Sequence, residues 1–153
     1  MNHISEYERW LNCTNIDERN KAELFTIHGN SDEIYSRFYT TLNFGTAGLR
    51  GLMGAGTNRM NIYTIRQASF GFGKFITELG ADAMKRGVVI AYDSRNNGVK
   101  FAENAALTLC KLGIRVFVFD SLRPTPELSF AIKYLNTIAG INITASHNPK
   151  EYN

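Results

Sequence analysis

The chain has 153 residues, of which 44% are hydrophobic and 20% are charged, with a formal net charge of +3. This is the size of one domain, and no basic run is long enough to indicate nucleic-acid binding. Neither a secretory leader pattern nor a membrane-spanning apolar run occurs, so we expect a cytoplasmic protein without membrane partners. Cys13 and Cys110 lack metal-ligand spacing and are predicted to be free thiols.

Three short helices are predicted before residue 40. Their predicted ranges are 4–13, 17–28 and 32–39. Asn15 or Asp17 is a candidate cap for the second helix. Trp10 and the neighbouring aromatic side chains are interpreted as packing residues rather than ligand contacts. We therefore expect a helical lead-in over residues 1–40 that packs on a following domain of residues 41–153.

A glycine-rich stretch, LNFGTAGLRG, occupies residues 42–51. Its glycines permit tight turns, and the planar guanidinium of Arg50 is suited to binding a phosphate group. The stretch does not fit a Walker loop, because no Lys-Ser/Thr pair follows at the required spacing. From the residues alone, a glycine-rich hairpin without a ligand is an equally simple interpretation.

A long helix is predicted from Asn61 to Leu79, with Gly80 placed to end it. Its apolar positions recur near the 3.6-residue period, and they are Ile62, Ile65, Ala68, Phe72, Phe75, Ile76 and Leu79. The Gly-Phe-Gly sequence at 71–73 lies inside this helix and has no strand before it, so we interpret it as a site of close helix packing.

The remaining sequence alternates between strand and helix patterns. Strands are predicted at 88–92, 115–119 and 138–143, with helices at 101–112 and 126–135. Helical crossovers between successive strands indicate mostly parallel pairing with right-handed connections. The fold class is therefore α/β with a mostly parallel sheet.

Polar residues follow each of the three predicted strands. Asp93 and Arg95 follow the first, Arg123 follows the second, and Ser146 with His147 follows the third. Because parallel strands end at one edge of a sheet, these residues are expected to meet where α/β proteins bind ligands. A hydroxyl beside an imidazole and arginines is suited to phosphate chemistry. The alternatives are a surface turn around Ser146 and arginines that are solvated surface charges.

Two motifs in this chain resemble those of the α-D-phosphohexomutases, the phosphoglucomutase/phosphomannomutase superfamily. Residues 144–149 (TASHNP) resemble the phosphoserine loop of that family, and residues 45–50 (GTAGLR) resemble its N-terminal signature. Residues 93–95 (DSR) and the Thr-Pro pair at 125–126 match further family motifs. Residues 54–61 look closest to the phosphoglucomutase 2-like and phosphopentomutase branch.

The resemblance implies a role for each candidate residue. Ser146 would carry the phosphate, His147 would act as general acid or base, and Arg50 would stabilise the transferring charge. The implied phosphate or substrate contacts are Thr46, Arg95, Arg123 and Asn148. One Mg²⁺ would bind a phosphate oxygen on Ser146, and glucose 1,6-bisphosphate would be the activator.

The resemblance also implies the architecture of the whole family. The chain looks like the first of four domains, a three-layer α/β/α domain with a mostly parallel mixed sheet, truncated just after the phosphoserine loop. The metal loop, sugar-specificity loop and distal phosphate loop of the family are absent from this sequence, so we expect the 153-residue chain alone to be inactive.

The family reaction interconverts hexose 1-phosphate and hexose 6-phosphate through a bisphosphorylated sugar. Alternatives are a hexose 1,6-bisphosphate synthase, a phosphopentomutase, or a non-catalytic domain that binds anions or self-associates. The residues do not distinguish glucose, mannose and pentose phosphates or define the oligomeric state, although residues 54–61 favour glucose by family analogy.

Overall fold

The computed structural model describes residues 2–45 and 48–153, and its contacts group the chain into two compact units. The first unit is Met1–Thr64 together with Tyr152, and the second is Ile65–Glu151 together with Asn153. The division falls within the first turn of the helix Ile62–Glu78. Among the described residues, no helix is both long and apolar enough to cross a membrane. Cys13 and Cys110 are both free thiols.

The elements follow the order expected from the sequence, with helices before an alternating β/α region. In chain order they are α1 His3–Asn12, α2 Glu18–Thr26, α3 Ser31–Phe38, α4 Ile62–Glu78, α5 Ala81–Arg86, β1 Val88–Tyr92, α6 Gly98–Lys111, β2 Val116–Val118, α7 Thr125–Tyr134 and β3 Ala139–Ile143.

The first three helices begin at side-chain caps. Of the two predicted caps for α2, Asp17 fulfils the role, because its carboxylate accepts a hydrogen bond from the backbone N–H of Asn20 at 2.9 Å. Asn2 and Asn30 cap α1 and α3 in the same manner. The unit's core forms around Phe38, whose ring meets those of Tyr7 and Trp10 edge to face at 5.8 and 5.7 Å. The packing role predicted for Trp10 is confirmed.

A charged network fixes the turn that follows these helices. Arg37 donates to the carboxylates of Glu23 and Glu33 and to the carbonyl of Ala55, and Glu23 also accepts from the Ala55 N–H. The hydrogen bond that Glu33 accepts from Arg37 lowers the pKa of the Glu33 carboxyl group. Burial alone lowers the pKa of Arg37, but its hydrogen bonds to the two carboxylates and the attraction of their charges together outweigh burial and raise that pKa overall. The network therefore holds the residues around Ala55 against α2 and α3.

Within the part of the chain that the structure describes, the sheet has three parallel strands in the order β2-β1-β3. Val88 pairs with Val116 on one side and with Ala139 on the other, so β1 is the central strand and is buried along its length. The connection from β1 to β2 runs in one direction and that from β2 to β3 returns past β1. Right-handed connections in opposite directions place α6 and α7 on opposite faces of the sheet.

This arrangement confirms the α/β class and the layers on both faces. Val89 and Ala91 pack against Leu128 and Ala131 of α7. Phe101 and its buried neighbours on α6 face the other side of the sheet. The three described strands are all parallel, so the antiparallel member of the expected mixed sheet is not among them.

Three helices differ from the sequence-based expectation. Helix α5 was not predicted, because six residues with a single buried apolar side chain show no periodicity. Helix α6 begins three residues earlier than expected, at Gly98. In α4, Phe75 and Leu79 are 57% and 51% exposed. Phe75 lies one position before the buried Ile76 and is therefore turned about 100° away, and Leu79 follows the last residue of the helix.

Close packing at the Gly-Phe-Gly sequence involves its second glycine. A Cβ on Gly73 would lie 2.5 Å from Cδ1 of Leu112 and 3.0 Å from Cδ2 of Leu109, whereas nothing lies within 4 Å of a Cβ on Gly71. Both glycines lie in α4, and Gly73 packs against the C-terminal part of α6.

We expect opposite effects from alanine at these two glycines. Gly71→Ala should stabilise the protein by about 0.5–1 kcal/mol, because alanine is the better helix former and the site is open. Gly73→Ala gains the same helix propensity but overpacks the buried contact with Leu109. We expect it to destabilise the protein by about 1 kcal/mol net. Urea denaturation of both variants measures the difference, and equal midpoints would contradict the packing role of Gly73.

Candidate functional site

The carboxyl ends of β1 and β3 form the topological switch point of the sheet. The connections leaving β1 and β2 run in opposite directions, and the crevice beside such a point is where open α/β sheets bind ligands. The Asp93 N–H donates to the carbonyl of Ile143 at 3.1 Å, so the loops that follow the two strands start side by side. The convergence expected from the sequence is therefore present at β1 and β3.

Ser146 lies on the exposed loop that follows β3, which we call the serine loop (residues 144–149). Its backbone is left-handed, with φ +54°, a conformation that costs a non-glycine residue about 1–2 kcal/mol. Its N–H donates to Oγ1 of Thr144 at 3.0 Å, and its Oγ lies 3.3 Å from Nδ1 of His147. The hydroxyl and the imidazole are thus within hydrogen-bonding distance and open to solvent.

Asp93 connects the two loops through its carboxylate. Its Oδ2 accepts a hydrogen bond from Oγ1 of Thr144, and its Oδ1 accepts one from the N–H of Arg95 at 3.0 Å. The same carboxylate therefore organises the turn after β1 and the start of the serine loop.

The guanidinium of Arg95 points at the backbone of the serine loop. Its Nη2 donates to the carbonyls of Ser146 and Asn148 at 2.8 and 2.7 Å, and its Nη1 donates to the carbonyl of Pro149 at 2.7 Å. Asn148 also closes a turn inside the loop, since its N–H donates to the carbonyl of Ala145 at 3.0 Å. Arg95, Ser146, His147 and Asn148 are thus brought together as the sequence indicated.

Arg123 follows β2, and its guanidinium contacts residues that are close to it in sequence. Its guanidinium donates to Oγ of Ser121 at 2.5 Å and forms ion pairs with Asp120 and Glu127 at 3.5 and 3.1 Å. Its N–H donates to the carbonyl of Tyr92, which attaches this segment to the end of β1. A phosphate contact by Arg123 remains a prediction.

The glycine-rich stretch belongs to the first unit. Gly45 and Gly48 exchange backbone hydrogen bonds of 3.0 and 3.2 Å and form an antiparallel bridge, and the two residues between them lie outside the described residues. Arg50 is half-buried and follows this bridge. Thr46, predicted as a phosphate contact, lies outside the described residues.

A magnesium site is not assembled by the described part of the chain. Within residues 2–45 and 48–153, no group of three or more His, Cys, Asp or Glu side chains is arranged to hold a metal ion. The residues present therefore do not fit the implied metal by themselves, and no chemical step is assigned to it.

Two residues of the site had no role assigned from the sequence. Asp93 stood out as a polar residue after a strand and as the first residue of the motif at 93–95, and Thr144 stood out as the first residue of the motif at 144–149. An aspartate at a strand end commonly accepts a hydrogen bond from the backbone N–H two residues on, an Asx turn, so that signal could have found the contact of Asp93 with the Arg95 N–H. The partner of Thr144 depends on the pairing of β1 with β3 and is not visible locally.

An exposed serine beside a histidine at the switch point of a parallel sheet defines a candidate active site of an α/β enzyme domain. Residues 41–153 match the family model for phosphoglucomutase/phosphomannomutase, alpha/beta/alpha domain I. The chain therefore belongs to the phosphoglucomutase/phosphomannomutase family, whose members are intramolecular phosphotransferases.

Individual relatives agree with this assignment. The chain is 46% identical over 123 residues to a phosphoglucomutase of Staphylococcus epidermidis (strain ATCC 12228), covering 80% of this chain and 22% of that protein. It is 41% identical over 131 residues to the phosphopentomutase of Homo sapiens, covering 82% and 21% respectively. A crystal structure named as a phosphomannomutase from Thermus thermophilus superposes with a TM-score of 0.65 at 31% identity, covering 74% of this chain and 24% of that chain.

The chain thus spans about a fifth of the length of the curated relatives that it matches. The relatives carry names that refer to glucose, pentose and mannose phosphates, so the matched region is shared by enzymes of different sugar specificity.

Proposed function

We propose that this chain is the phosphoserine-bearing domain of a sugar-phosphate mutase that interconverts hexose 1-phosphate and hexose 6-phosphate. The observation that carries the proposal is the exposed Oγ of Ser146, 3.3 Å from Nδ1 of His147, beside the carboxyl end of β1. Membership of the family supplies the reaction class, and the geometry offers a nucleophile with a proton carrier.

In the proposed chemistry Ser146 gives its phosphoryl group to the sugar and takes a different one back. In the forward step the bond between Oγ and phosphorus breaks while a sugar hydroxyl oxygen bonds to that phosphorus. The proton of the sugar hydroxyl is carried by the imidazole of His147 to the departing Oγ. In the return step the other phosphoryl group of the bisphosphorylated sugar is taken by Oγ, and the proton moves back to the sugar oxygen.

Other members of the proposed site rest on the family resemblance. Arg50 would stabilise the charge on the transferring group, and Thr46 and Asn148 would contact phosphate. The resemblance also implies a Mg²⁺, which the described residues do not hold by themselves, and glucose 1,6-bisphosphate, which would restore phospho-Ser146.

The proposal differs for the protein that contains this domain and for the 153-residue chain alone. The family reaction is assigned to the protein that contains this domain. For the 153-residue chain alone we expect no turnover, because its described residues do not assemble a metal site.

The test is direct phosphorylation of the serine. The protein, expressed from its complete reading frame, should gain the mass of one phosphoryl group (HPO₃) on incubation with glucose 1,6-bisphosphate, and peptide fragmentation should place it on Ser146. Turnover of glucose 1-phosphate, mannose 1-phosphate and ribose 1-phosphate, assayed in parallel, identifies the sugar. A phosphoryl group on any other residue, or none, would contradict the proposal.

A further inference from the structure

We infer that Arg95 is a positioning residue whose guanidinium sets the backbone of the serine loop and thereby the direction of the Ser146 hydroxyl. The inference rests on the proposed function for its catalytic consequence, whereas its structural part stands on the loop alone. It differs from the phosphate contact that the sequence suggested for the same side chain, and the two roles predict different measurements.

The first support is the set of acceptors that Arg95 faces. The carbonyls of Ser146, Asn148 and Pro149 all lie 2.7–2.8 Å from its two terminal nitrogens. Hydrogen bonds from a charged donor are stronger than neutral ones, and a planar fork fixes the relative orientation of its acceptors. One side chain thus satisfies three carbonyls from four consecutive residues of a loop.

The second support is how Arg95 itself is anchored. Its N–H donates to Oδ1 of Asp93, and Oδ2 of the same carboxylate accepts from Thr144 at the start of the serine loop. The Thr144 hydroxyl oxygen in turn accepts from the N–H of Ser146. The loop is therefore held by its carbonyls at one end and through Thr144 at the other, and both restraints originate at the end of β1.

The left-handed backbone of Ser146 explains why such restraint is needed. A non-glycine residue leaves this conformation unless the surrounding contacts hold it there. Loss of the guanidinium removes its three contacts with the loop carbonyls, while the Thr144 contact and the hydrogen bond from Asn148 to Ala145 remain. The hydroxyl then samples several directions relative to His147 and to an incoming phosphate.

The catalytic consequence is a loss in the chemical step rather than in binding. A misplacement of a reacting group by about 1 Å costs on the order of 100-fold in rate. We therefore expect Arg95→Gln to lower kcat about 100-fold with KM changed by less than about 3-fold, since a group that acts only on the nucleophile does not bind the ground state. Arg95→Lys should recover part of the loss, because an ammonium donates to fewer of the three carbonyls.

Arg86 offers a matched control, because it lies just before the start of β1 whereas Arg95 lies just after its end. Arg86 donates to the carbonyls of Asn136 and Thr137 at 3.0 and 3.3 Å, so it also holds a loop next to β3 through backbone carbonyls. Arg86→Gln removes the same type of interaction at the amino end of β1, whereas Ser146 lies beside its carboxyl end. It should leave kcat and KM within about 2-fold of the wild-type values, because no reacting group is displaced.

A second readout is independent of activity. Backbone ¹⁵N order parameters of residues 145–148 should fall from about 0.85 to below about 0.6 in Arg95→Gln and stay unchanged in Arg86→Gln. If the wild-type protein transfers no phosphoryl group, the proposed function fails, and the order parameters still decide whether Arg95 holds the loop.

Three results would overturn the inference. An increase in KM with kcat preserved would assign Arg95 to phosphate binding instead. Unchanged order parameters in Arg95→Gln would show that the loop keeps its conformation without the guanidinium. An equal loss of kcat in Arg86→Gln would show that the effect reflects general destabilisation of the second unit.

Discussion

Replacement of Ser146 by alanine should lower the rate of sugar-phosphate interconversion by at least about 10⁴-fold, as expected when the nucleophile of a covalent mechanism is removed. The variant should also fail to gain the mass of one phosphoryl group on incubation with glucose 1,6-bisphosphate. A coupled assay for glucose 6-phosphate and intact mass spectrometry measure the two effects separately.

The fold should survive this change, because the Ser146 side chain is exposed and its described hydrogen bond is to His147. Ser94→Ala, in the exposed loop after β1, is the matched control and should retain full activity. Ser146→Gly should be as inactive as the alanine variant yet more stable by about 1 kcal/mol, because glycine adopts the left-handed backbone without strain. Substantial turnover by either Ser146 variant would exclude a phosphoserine mechanism.

Replacement of Gly87 by alanine should destabilise the protein by about 4 kcal/mol or more, one of the largest effects expected from a single methyl group. Gly87 has φ +77°, and an added Cβ would lie 2.8 Å from the carbonyl carbon of Arg115 and closer still to its oxygen. That oxygen accepts a hydrogen bond from Val88, and the Gly87 carbonyl accepts one from Ile138. The added methyl group therefore forces apart the backbone segments that begin all three strands.

Gly80→Ala separates the two contributions to this effect. Gly80 has φ +95° and ψ −179°, but nothing lies within 4 Å of an added Cβ, so only the backbone conformation is penalised, by about 1–3 kcal/mol. Denaturant unfolding of both variants gives the difference. Similar losses at the two positions would show that the Arg115 backbone yields to the methyl group at little cost.

The sequence was sufficient for the elements whose signals are local. Alternating strand and helix patterns from Val88 onward predicted the parallel sheet and both covering helices, because each repeats its apolar spacing over several turns or residues. Helix α5 escaped prediction because it buries only Ala83. The predicted burial of Phe75 was wrong, because periodicity defines only a broad apolar stripe on the helix. Which edge of that stripe is buried depends on the element that packs against it.

At the candidate site, residue types could be predicted but their partners could not. Ser146 and His147 were recognisable from a motif, and parallel pairing predicted that they would meet the end of β1. The hydrogen bonds of Arg95 could not be foreseen, because an arginine after a strand can reach either a ligand or a carbonyl. That choice depends on the backbone path of the serine loop, which the Asp93 and Thr144 contact determines only after β3 has paired with β1.

The pairing of β1 with β3 has a consequence for the order of events during synthesis. Val88 and Ala139 are register partners although roughly fifty residues separate them, so closing this contact carries the entropy cost of a long loop. A nascent chain that has exposed β1, α6 and β2 still lacks the partner strand that brings Ser146 to Arg95. Under the proposed function, phosphate acceptance at Ser146 would therefore begin only after β3 has docked against β1, and the modification would mark chains in which this pairing has formed.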